Sequence, residues 1–180
     1  RQMCIRDSVS DDLVCSKTDN LVTVNMGVPK FSWNEIPLSN DQNTQYVKLD
    51  EFEAFCLSMG NPHAVIFINN LYELENLNIK SIGPRLEKHS NFPEFANIEF
   101  VSVLEDKSLR MRVWERGAGM TSACGSGACA TLVAASSLDK SAKENKIVLD
   151  GGDLFIKWLD NGSVTLSGDT ERVFEGFIGE

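Results

Sequence analysis

Hydrophobic and polar residues alternate most regularly in residues 109–114, where one side is apolar and the other carries Arg110, Arg112 and Trp114. This period of two predicts a β-strand with one buried face. Further along the chain the pattern changes, because residues 128–135 are small or apolar all round a helical turn. Such a segment predicts a helix that is buried on every side, and not one that lies on a surface.

Shorter alternating or apolar runs predict strands along most of the remaining chain. They are residues 21–26, 46–49, 51–58, 64–68, 98–104, 146–149, 154–158, 163–166 and 173–178. Helices are predicted at residues 71–77 and 84–89, the second with Pro84 at its first position. Residues 160–162 (DNG) predict a hairpin turn. These elements predict an α+β fold, with a curved or barrel-like mixed or antiparallel sheet wrapped around a central buried helix.

Composition and charge limit the possible partners. The chain has 180 residues, of which 42% are hydrophobic and 24% charged, which predicts an ordered core in about one domain. A formal net charge of -9 without a Lys/Arg cluster argues against nucleic acid and anionic membranes as partners. No apolar run approaches membrane-spanning length, and no secretory signal is visible. The five cysteines form no CxxC motif, which indicates neither a zinc site nor a disulfide framework and favours the cytoplasm.

The start of the predicted buried helix carries the candidate chemistry. Cys124 directly precedes this helix, so its thiol and the amides of Gly125 and Ser126 are expected at a helix N-terminus. Free N–H groups and the positive end of the helix dipole bind anions there and lower the pKa of a thiol. A lone cysteine is also commonly a small buried hydrophobe, so that alternative stays open. The segment is not a P-loop, because no Lys-Ser or Lys-Thr follows the glycines.

Other polar residues are expected at the ends of strands. His63 lies where a turn enters a strand, a position typical of ligand-facing side chains and also of hydrogen-bonded structural histidines. Asn97 precedes a strand and, taken alone, is a turn residue. Glu115 and Arg116 follow the strand at residues 109–114, where adjacent opposite charges are usually a solvated pair. Beside a helix-start thiol they can instead bind a zwitterion, Arg116 its carboxylate and Glu115 its ammonium group.

With these residues in place, the chain resembles the diaminopimelate epimerase family, cofactor-independent amino-acid epimerases of lysine and peptidoglycan precursor biosynthesis. The matching motifs occur in family order over about residues 22–178, and several ordered motifs are more specific than any one alone. The motifs are residues 24–27 (VNMG), 58–63 (SMGNPH), 92–93 (FP), 96–98 (ANI), 114–119 (WERGAG), 123–129 (ACGSGAC) and 176–178 (GFI).

The resemblance implies a cytoplasmic homodimer whose subunits have two similar domains, each with a central helix. It implies a small-molecule substrate, diaminopimelate, in the cleft between the domains, and neither metal nor pyridoxal phosphate. Each domain supplies one cysteine, and the two thiols interconvert LL- and meso-2,6-diaminopimelate. One thiolate removes the α-proton while the other thiol returns a proton to the opposite face.

Roles carried over by position follow from the same resemblance. Cys124 resembles one of the two catalytic cysteines, the one usually described as the proton acceptor. His63 and Glu115 resemble the residues that assist the thiols. The residues that resemble substrate contacts are Asn61, Asn97, Glu115 and Arg116 for the distal amino-acid end, and Gly125 and Ser126 for the reacting carboxylate.

The resemblance also sets the expected domain organisation. Residues 1–8 (RQMCIRDS) fit no pattern that follows, so we interpret them as a foreign leader and leave them out of the fold prediction. Residues 9–26 are expected to be remnant strands of the first domain, and residues 27–178 to form the C-terminal epimerase domain. The other catalytic cysteine lies in the first domain of the family, so the isolated chain is expected to be inactive alone.

Several positions do not match the family pattern. Cys129 lies five helical positions after Cys124, about 140° around the helix, so it is expected in the core and not in the site. Cys15 and Cys56 lie on predicted strands without a matching motif, which favours packing. The family usually has Glu at the position of Met120. It usually has Tyr, near a C-terminal dimer contact, at Phe174.

Two alternatives of different kinds remain. A proline-racemase-like enzyme shares the two-thiol fold, but a monocarboxylic amino acid needs no distal clamp of the Glu115 and Arg116 type. The other alternative is a non-catalytic domain that holds half of a cleft and binds a ligand or has no activity.

Overall fold

The computed structural model of the protein describes residues 2–7, 12–18, 20–171 and 173–177. The interpretation of residues 1–8 as a leader and of residues 9–26 as a domain remnant therefore falls partly outside the described residues. Strand β1 (Gln2–Asp7) is antiparallel to β2 (Asp12–Thr18), so part of the excluded leader extends the sheet. Its foreign origin stays a prediction.

Most of the remaining strands lie where the alternation of residues predicts them. Three helices complete the described fold: α1 (Leu71–Asn76), α2 (Ile79–Glu87) and α3 (Gly125–Ser137). The strands that follow β2 are β3 (Leu21–Asn25), β4 (Val47–Leu49), β5 (Phe52–Ser58), β6 (Pro62–Phe67), β7 (Asn97–Val103), β8 (Leu109–Glu115), β9 (Gly119–Thr121), β10 (Glu144–Leu149), β11 (Gly152–Trp158) and β12 (Val164–Asp169).

The strands join into one mixed sheet. Its order is β1-β2-β3-β12-β11-β10-β8-β7-β6-β5-β4, with β9 paired to β8. Among the described strands, only the β6–β7 and β8–β10 pairs are parallel. The predicted mixed sheet with few helices is confirmed, but the sheet is open and not a closed barrel. Within the described part of the chain, the edge strands β1 and β4 each pair with a single neighbour and not with each other.

The sheet buries a different set of apolar residues on each face, because successive residues of a strand point to opposite sides. On one face, here called the α3 face, Val65, Val101 and Met111 pack with helix α3. On the other, the α1/α2 face, Ile66 and Phe100 pack with α1 and α2. Residues 127–135 of α3 are all buried, as their apolar character predicts, and α3 contacts β5 to β8 and β10 to β12.

Helix α1 is confirmed, and Asn70 caps it by accepting a hydrogen bond from the Glu73 N–H at 2.9 Å. The prediction for the next helix is wrong in its start, because α2 begins at Ile79 and Pro84 lies inside it. Proline lacks an N–H and normally begins a helix. Ile79 and Leu86 are buried on one side of the helix, and the stabilisation from this burial outweighs that local preference.

The chain after β12 does not form the predicted strand. Residues 173–177 adopt no strand, the side chains of Val173, Phe174 and Phe177 are exposed, and Ile178 lies outside the described residues. Strand β12 already pairs with β11 on one side and β3 on the other, so the chain that leaves β12 has no unpaired strand edge next to it. The hairpin turn between β11 and β12 is confirmed, with Gly162 at a φ of 88°.

Two further findings concern membrane crossing and metal binding. In the part of the chain described here, no helix has both the length and the apolar character that a membrane crossing requires. Over the same residues, no group of three or more His, Cys, Asp or Glu side chains has an arrangement that could hold a metal ion.

Candidate active site

Cys124 is the N-cap residue of helix α3. Its backbone is extended, with φ -140° and ψ 111°, and its carbonyl accepts the first helical hydrogen bond from the Ala128 N–H at 2.9 Å. Its Sγ accepts a hydrogen bond from the Gly127 N–H at 3.4 Å and lies 3.6 Å from the Ser126 Oγ. The expected place of Cys124, with Gly125 and Ser126, at the start of a buried helix is therefore confirmed.

The expected lowering of the Cys124 pKa is wrong. Cys124 is only 8% exposed, and this burial raises the pKa of its thiol to about 11. The negative charges of Glu99 and Glu115 raise the pKa further, whereas the Gly127 N–H and the Ser126 hydroxyl lower it. Desolvation and two carboxylates thus outweigh the hydrogen bonds at the helix start.

His63 is fully buried beside this helix start. Its Nδ1 lies 2.7 Å from Glu99 Oε1, and its Nε2 lies 3.0 Å from Asn61 Oδ1. The Asn61 amide also donates to Ser126 Oγ at 3.4 Å. A hydrogen-bonded row thus leads from Glu99 through His63 and Asn61 to Ser126, which itself lies beside Cys124.

The parallel pair β6–β7 explains why these residues meet. In its register His63 is opposite Asn97 and Val65 is opposite Glu99. The chain enters β6 through Gly60, whose φ of 96° is a left-handed conformation that glycine adopts at little cost. Polar side chains of the turn and of both strands are therefore delivered to one end of the α3 face.

Asn97, Glu115 and Arg116 form a second cluster where β8 turns into β9. Asn97 Oδ1 accepts from the Arg116 backbone N–H at 2.9 Å, and its amide donates to the Pro62 carbonyl at 2.9 Å. The Thr121 hydroxyl donates to the Glu115 carboxylate, and the Arg116 guanidinium donates to the Glu94 carbonyl at 3.2 Å. Glu115 and Arg116 therefore have separate partners, and Asn97 ties the turn to β6.

Two buried carboxylates were not among the predicted site residues. Glu99 is fully buried in the middle of β7, and its sequence signal is a charge inside an otherwise apolar strand. Glu87, at the end of α2, accepts hydrogen bonds from the Trp114 indole N–H and the Gly117 backbone N–H, both at 2.8 Å. Glu87 gives no such signal, because it lies in a charged stretch of sequence next to Lys88.

The other described cysteines, Cys129, Cys56 and Cys15, have different surroundings. Cys129 lies on α3 and is buried in the core, as predicted, and burial raises the pKa of its thiol. Cys56 is buried on the α1/α2 face, where burial and the charge of Glu99 raise its pKa. Cys15 lies on β2 and is partly buried. Cys124, by contrast, has the Ser126 hydroxyl of the predicted site and the Gly127 N–H beside its sulfur.

Known proteins that are similar in sequence to this chain belong to one family. The family model described as diaminopimelate epimerase matches residues 55–173. Diaminopimelate epimerase of Rhodospirillum centenum is 44% identical over 91% of this chain, and that of Acidiphilium cryptum is 46% identical over 89%. That of Bacillus mycoides is 40% identical over 94%. The chain spans 56%, 58% and 59% of these three relatives, a little more than half of their length.

Solved structures share the fold at low sequence identity. A hydroxyproline epimerase from Agrobacterium vitis has a TM-score of 0.63 at 12% identity, with 93% of this chain and 56% of that one covered. A predicted epimerase from Pseudomonas aeruginosa has a TM-score of 0.61 at 16% identity, with 93% and 63% covered. At such identities the likeness concerns the fold alone.

Proposed function

The chain belongs to the diaminopimelate epimerase family, and on this premise we propose that its protein interconverts LL- and meso-2,6-diaminopimelate. The reaction inverts one α-carbon and needs no cofactor, and it supplies precursors of lysine and peptidoglycan in the cytoplasm. The observation that carries the proposal is the convergence of Cys124, His63, Asn61 and Ser126 at the start of one buried helix.

Cys124 is the group that exchanges a proton with the substrate. When it acts as base, its thiolate takes the α-proton, an S–H bond forms, and the electron pair of the C–H bond moves into the carboxylate. The N–H groups at the start of α3, from Gly125 and Ser126, are placed to hold the charge that develops on that carboxylate. A thiol from the opposite face of the substrate returns a proton to the α-carbon and completes the inversion.

The second thiol comes from a part of the family protein that this chain does not match, since the chain spans 56% of the Rhodospirillum relative. We assign residues 27–178 to one of two domains, in which the sheet wraps around α3, and residues 9–26 to the other. A homodimer is the expected assembly. The isolated chain then holds one side of a cleft and has no turnover by itself.

The cluster at the β8–β9 turn recognises the distal amino-acid end of the substrate. Arg116 offers a guanidinium to the distal carboxylate, and Glu115 offers a carboxylate to the distal ammonium group. The side chain of Asn61 takes part in the same recognition. Asn97 contributes mainly by holding Arg116, because both ends of its amide already have protein partners.

The test is α-proton exchange in deuterated water by this chain joined to the first domain of a family member. We expect exchange with inversion for LL- and meso-diaminopimelate, and a loss of about 10²- to 10⁴-fold in Cys124→Ser. Cys56→Ala, which removes a cysteine on the α1/α2 face, is the matched control and retains exchange.

Three outcomes would contradict the proposal. Exchange with proline but not with diaminopimelate would assign the protein to the racemase type, which lacks a distal clamp. No exchange with either amino acid, from a protein whose circular dichroism shows a folded state, would indicate a binding domain. Turnover by the isolated chain would contradict the two-thiol mechanism.

A further inference from the structure

Glu99 is a buried carboxylate to which the proposed mechanism assigns no role. It lies at the centre of β7 with no exposed surface, and its Oε1 is 2.7 Å from Nδ1 of His63. Among the residues that the structure describes, its Oε2 has no hydrogen-bond partner. A buried carboxylate with one unpartnered oxygen is costly for a fold, which makes a purely structural role a poor explanation.

The position of Gly127 shows how close Glu99 comes to Cys124. A Cβ atom on Gly127 would lie 2.8 Å from Glu99 Oε1 and 3.2 Å from Cys124 Sγ. The carboxylate and the thiol thus face the same small space, which stays open because residue 127 has no side chain. Glycine at the third position of α3 is what allows the two groups to approach each other.

We propose that Glu99 is a positioning residue for Cys124. Glu99 orients His63, and its buried negative charge keeps Cys124 in the thiol form until substrate binds. This inference rests on the proposed function, in which Cys124 exchanges a proton with the substrate. It extends that function by naming the group that sets the resting protonation state of one of the two thiols.

The charged and titratable groups around Cys124 come from several elements. Glu99 faces it from β7 and Glu115 from β8, while His63 on β6 contacts Glu99 and Cys129 lies further along α3. A carboxylate close to a thiol disfavours the thiolate, because two negative charges in a buried site repel each other. Of the two carboxylates, Glu99 has the larger effect on Cys124.

This arrangement has a consequence for turnover. An epimerase with two catalytic cysteines must begin each cycle with one protonated thiol and one thiolate. A carboxylate beside one cysteine determines that this cysteine carries the proton. Cys124 with Glu99 beside it carries the proton in the resting site. The Gly127 N–H and the Ser126 hydroxyl stabilise the thiolate that forms once this proton has been transferred.

The experiment measures alkylation of Cys124 by iodoacetamide as a function of pH, followed by peptide mass spectrometry on the isolated chain. In Glu99→Gln we expect the midpoint of the alkylation profile to move down by about one pH unit, with about tenfold faster reaction at pH 8. Glu87→Gln is the matched control, because it also neutralises a buried carboxylate but one that contacts Trp114 and Gly117. Its midpoint should equal that of the unaltered chain.

A second variant separates charge from loosened packing. In His63→Gln the Glu99 carboxylate loses the imidazole that contacts its Oε1, so less of its negative charge is shared with a hydrogen-bond partner and the midpoint should move up, opposite to Glu99→Gln. An unchanged midpoint in Glu99→Gln, or shifts of the same sign in both variants, would overturn the proposal. If Glu99→Gln unfolds, Cys56 and Cys129 become alkylated as well. Glu99→Asp, whose shorter side chain holds the carboxylate farther from Cys124, is then measured instead. A downward shift there supports the proposal, and an unchanged midpoint overturns it.

This readout does not depend on turnover. Failure of the chain to support diaminopimelate exchange would contradict the proposed function and leave the alkylation result intact. Conversely, exchange that vanishes in Cys124→Ser together with an unchanged midpoint in Glu99→Gln would contradict only the role of Glu99.

Discussion

The two faces of the sheet each bury a cysteine, but in different surroundings. Cys56 on the α1/α2 face lies among apolar side chains such as Ile66 and Phe100. Cys124 on the α3 face lies at the start of a helix, where the Gly127 N–H and the Ser126 hydroxyl contact its sulfur. Burial raises the pKa of both thiols. The difference is that only Cys124 has groups that stabilise its thiolate.

The α1/α2 face holds none of the proposed catalytic residues and still shapes the site. Helix α2 on the α1/α2 face presents Gly83 and Glu87, one turn apart, to the same tryptophan of β8. Gly83 lies against the Trp114 ring, and Glu87 accepts the indole N–H and the N–H of Gly117. The turn that carries Glu115 is therefore held from the side of the sheet that contains no catalytic group.

A glycine on each face provides the strongest test of this difference. A Cβ on Gly83 would lie 2.4 Å from Cδ2 of Trp114, and this rigid, partly buried ring is packed against the core and cannot move away without losing contacts. We expect Gly83→Ala to lower the free energy of unfolding by about 1–3 kcal/mol, despite the better helix propensity of alanine. Urea unfolding of the isolated chain measures this loss.

Gly127→Ala is the partner variant on the α3 face. Its Cβ would meet the Glu99 carboxylate at 2.8 Å, the end of a side chain that can shift. The gain in helix propensity, about 1 kcal/mol, offsets this contact, so the stability should change little. Equal losses of stability in both variants would show that the two faces do not differ in rigidity.

Much of the fold followed from local patterns of residues. Alternation in β8 and the apolar character of residues 128–135 predicted a strand and a buried helix at the correct places. The errors arose where long-range packing decides. Helix α2 begins at Ile79 because the helix packs against the sheet, and residues 173–177 form no strand because β12 is already paired on both sides.

The sequence predicts candidate residues for the site but not their electrostatics. The motifs identified Cys124, His63 and Glu115, and a helix N-terminus alone suggested a lowered thiol pKa. The raised pKa depends on burial and on Glu99, which reaches the thiol through the parallel pairing of β6 and β7. No spacing in the sequence shows that pairing, so Glu99 was not recognised.

Alkaline pH should distinguish the two buried thiols by their effect on stability. An unfolded cysteine loses its proton near pH 9.0, whereas the raised pKa values keep Cys124 and Cys56 protonated in the native state. The native state therefore binds more protons above pH 9, and stability that is fully present below pH 9 falls by about 1.4 kcal/mol per pH unit for each thiol. For Cys124 the fall ends near pH 11, while for Cys56 it continues.

Cys124→Ala and Cys56→Ala allow this contribution to be measured as a difference between pH 7 and pH 10. Each variant should lose about 1.4 kcal/mol less stability over this interval than the unaltered chain. Urea unfolding at both pH values provides the numbers, and titrations of lysine and tyrosine cancel because all three proteins share them. A variant that follows the unaltered chain would show that its thiol ionises normally in the folded state.

Glu87→Gln tests whether the α1/α2 face holds the proposed substrate clamp. The amide keeps one oxygen but turns an N–H₂ group toward either the Trp114 indole or the Gly117 N–H, so one hydrogen bond is lost at a cost of about 1–2 kcal/mol. Since Gly117 directly follows Arg116, the joined two-domain protein should show a KM for diaminopimelate several-fold higher, with kcat nearly unchanged. Glu53→Gln, an exposed carboxylate on β5, is the control and should alter neither value. A fall in kcat at constant KM would instead indicate that Glu87 acts on proton transfer by Cys124. The α1/α2 face would then affect the chemical step as well as the position of the substrate contacts.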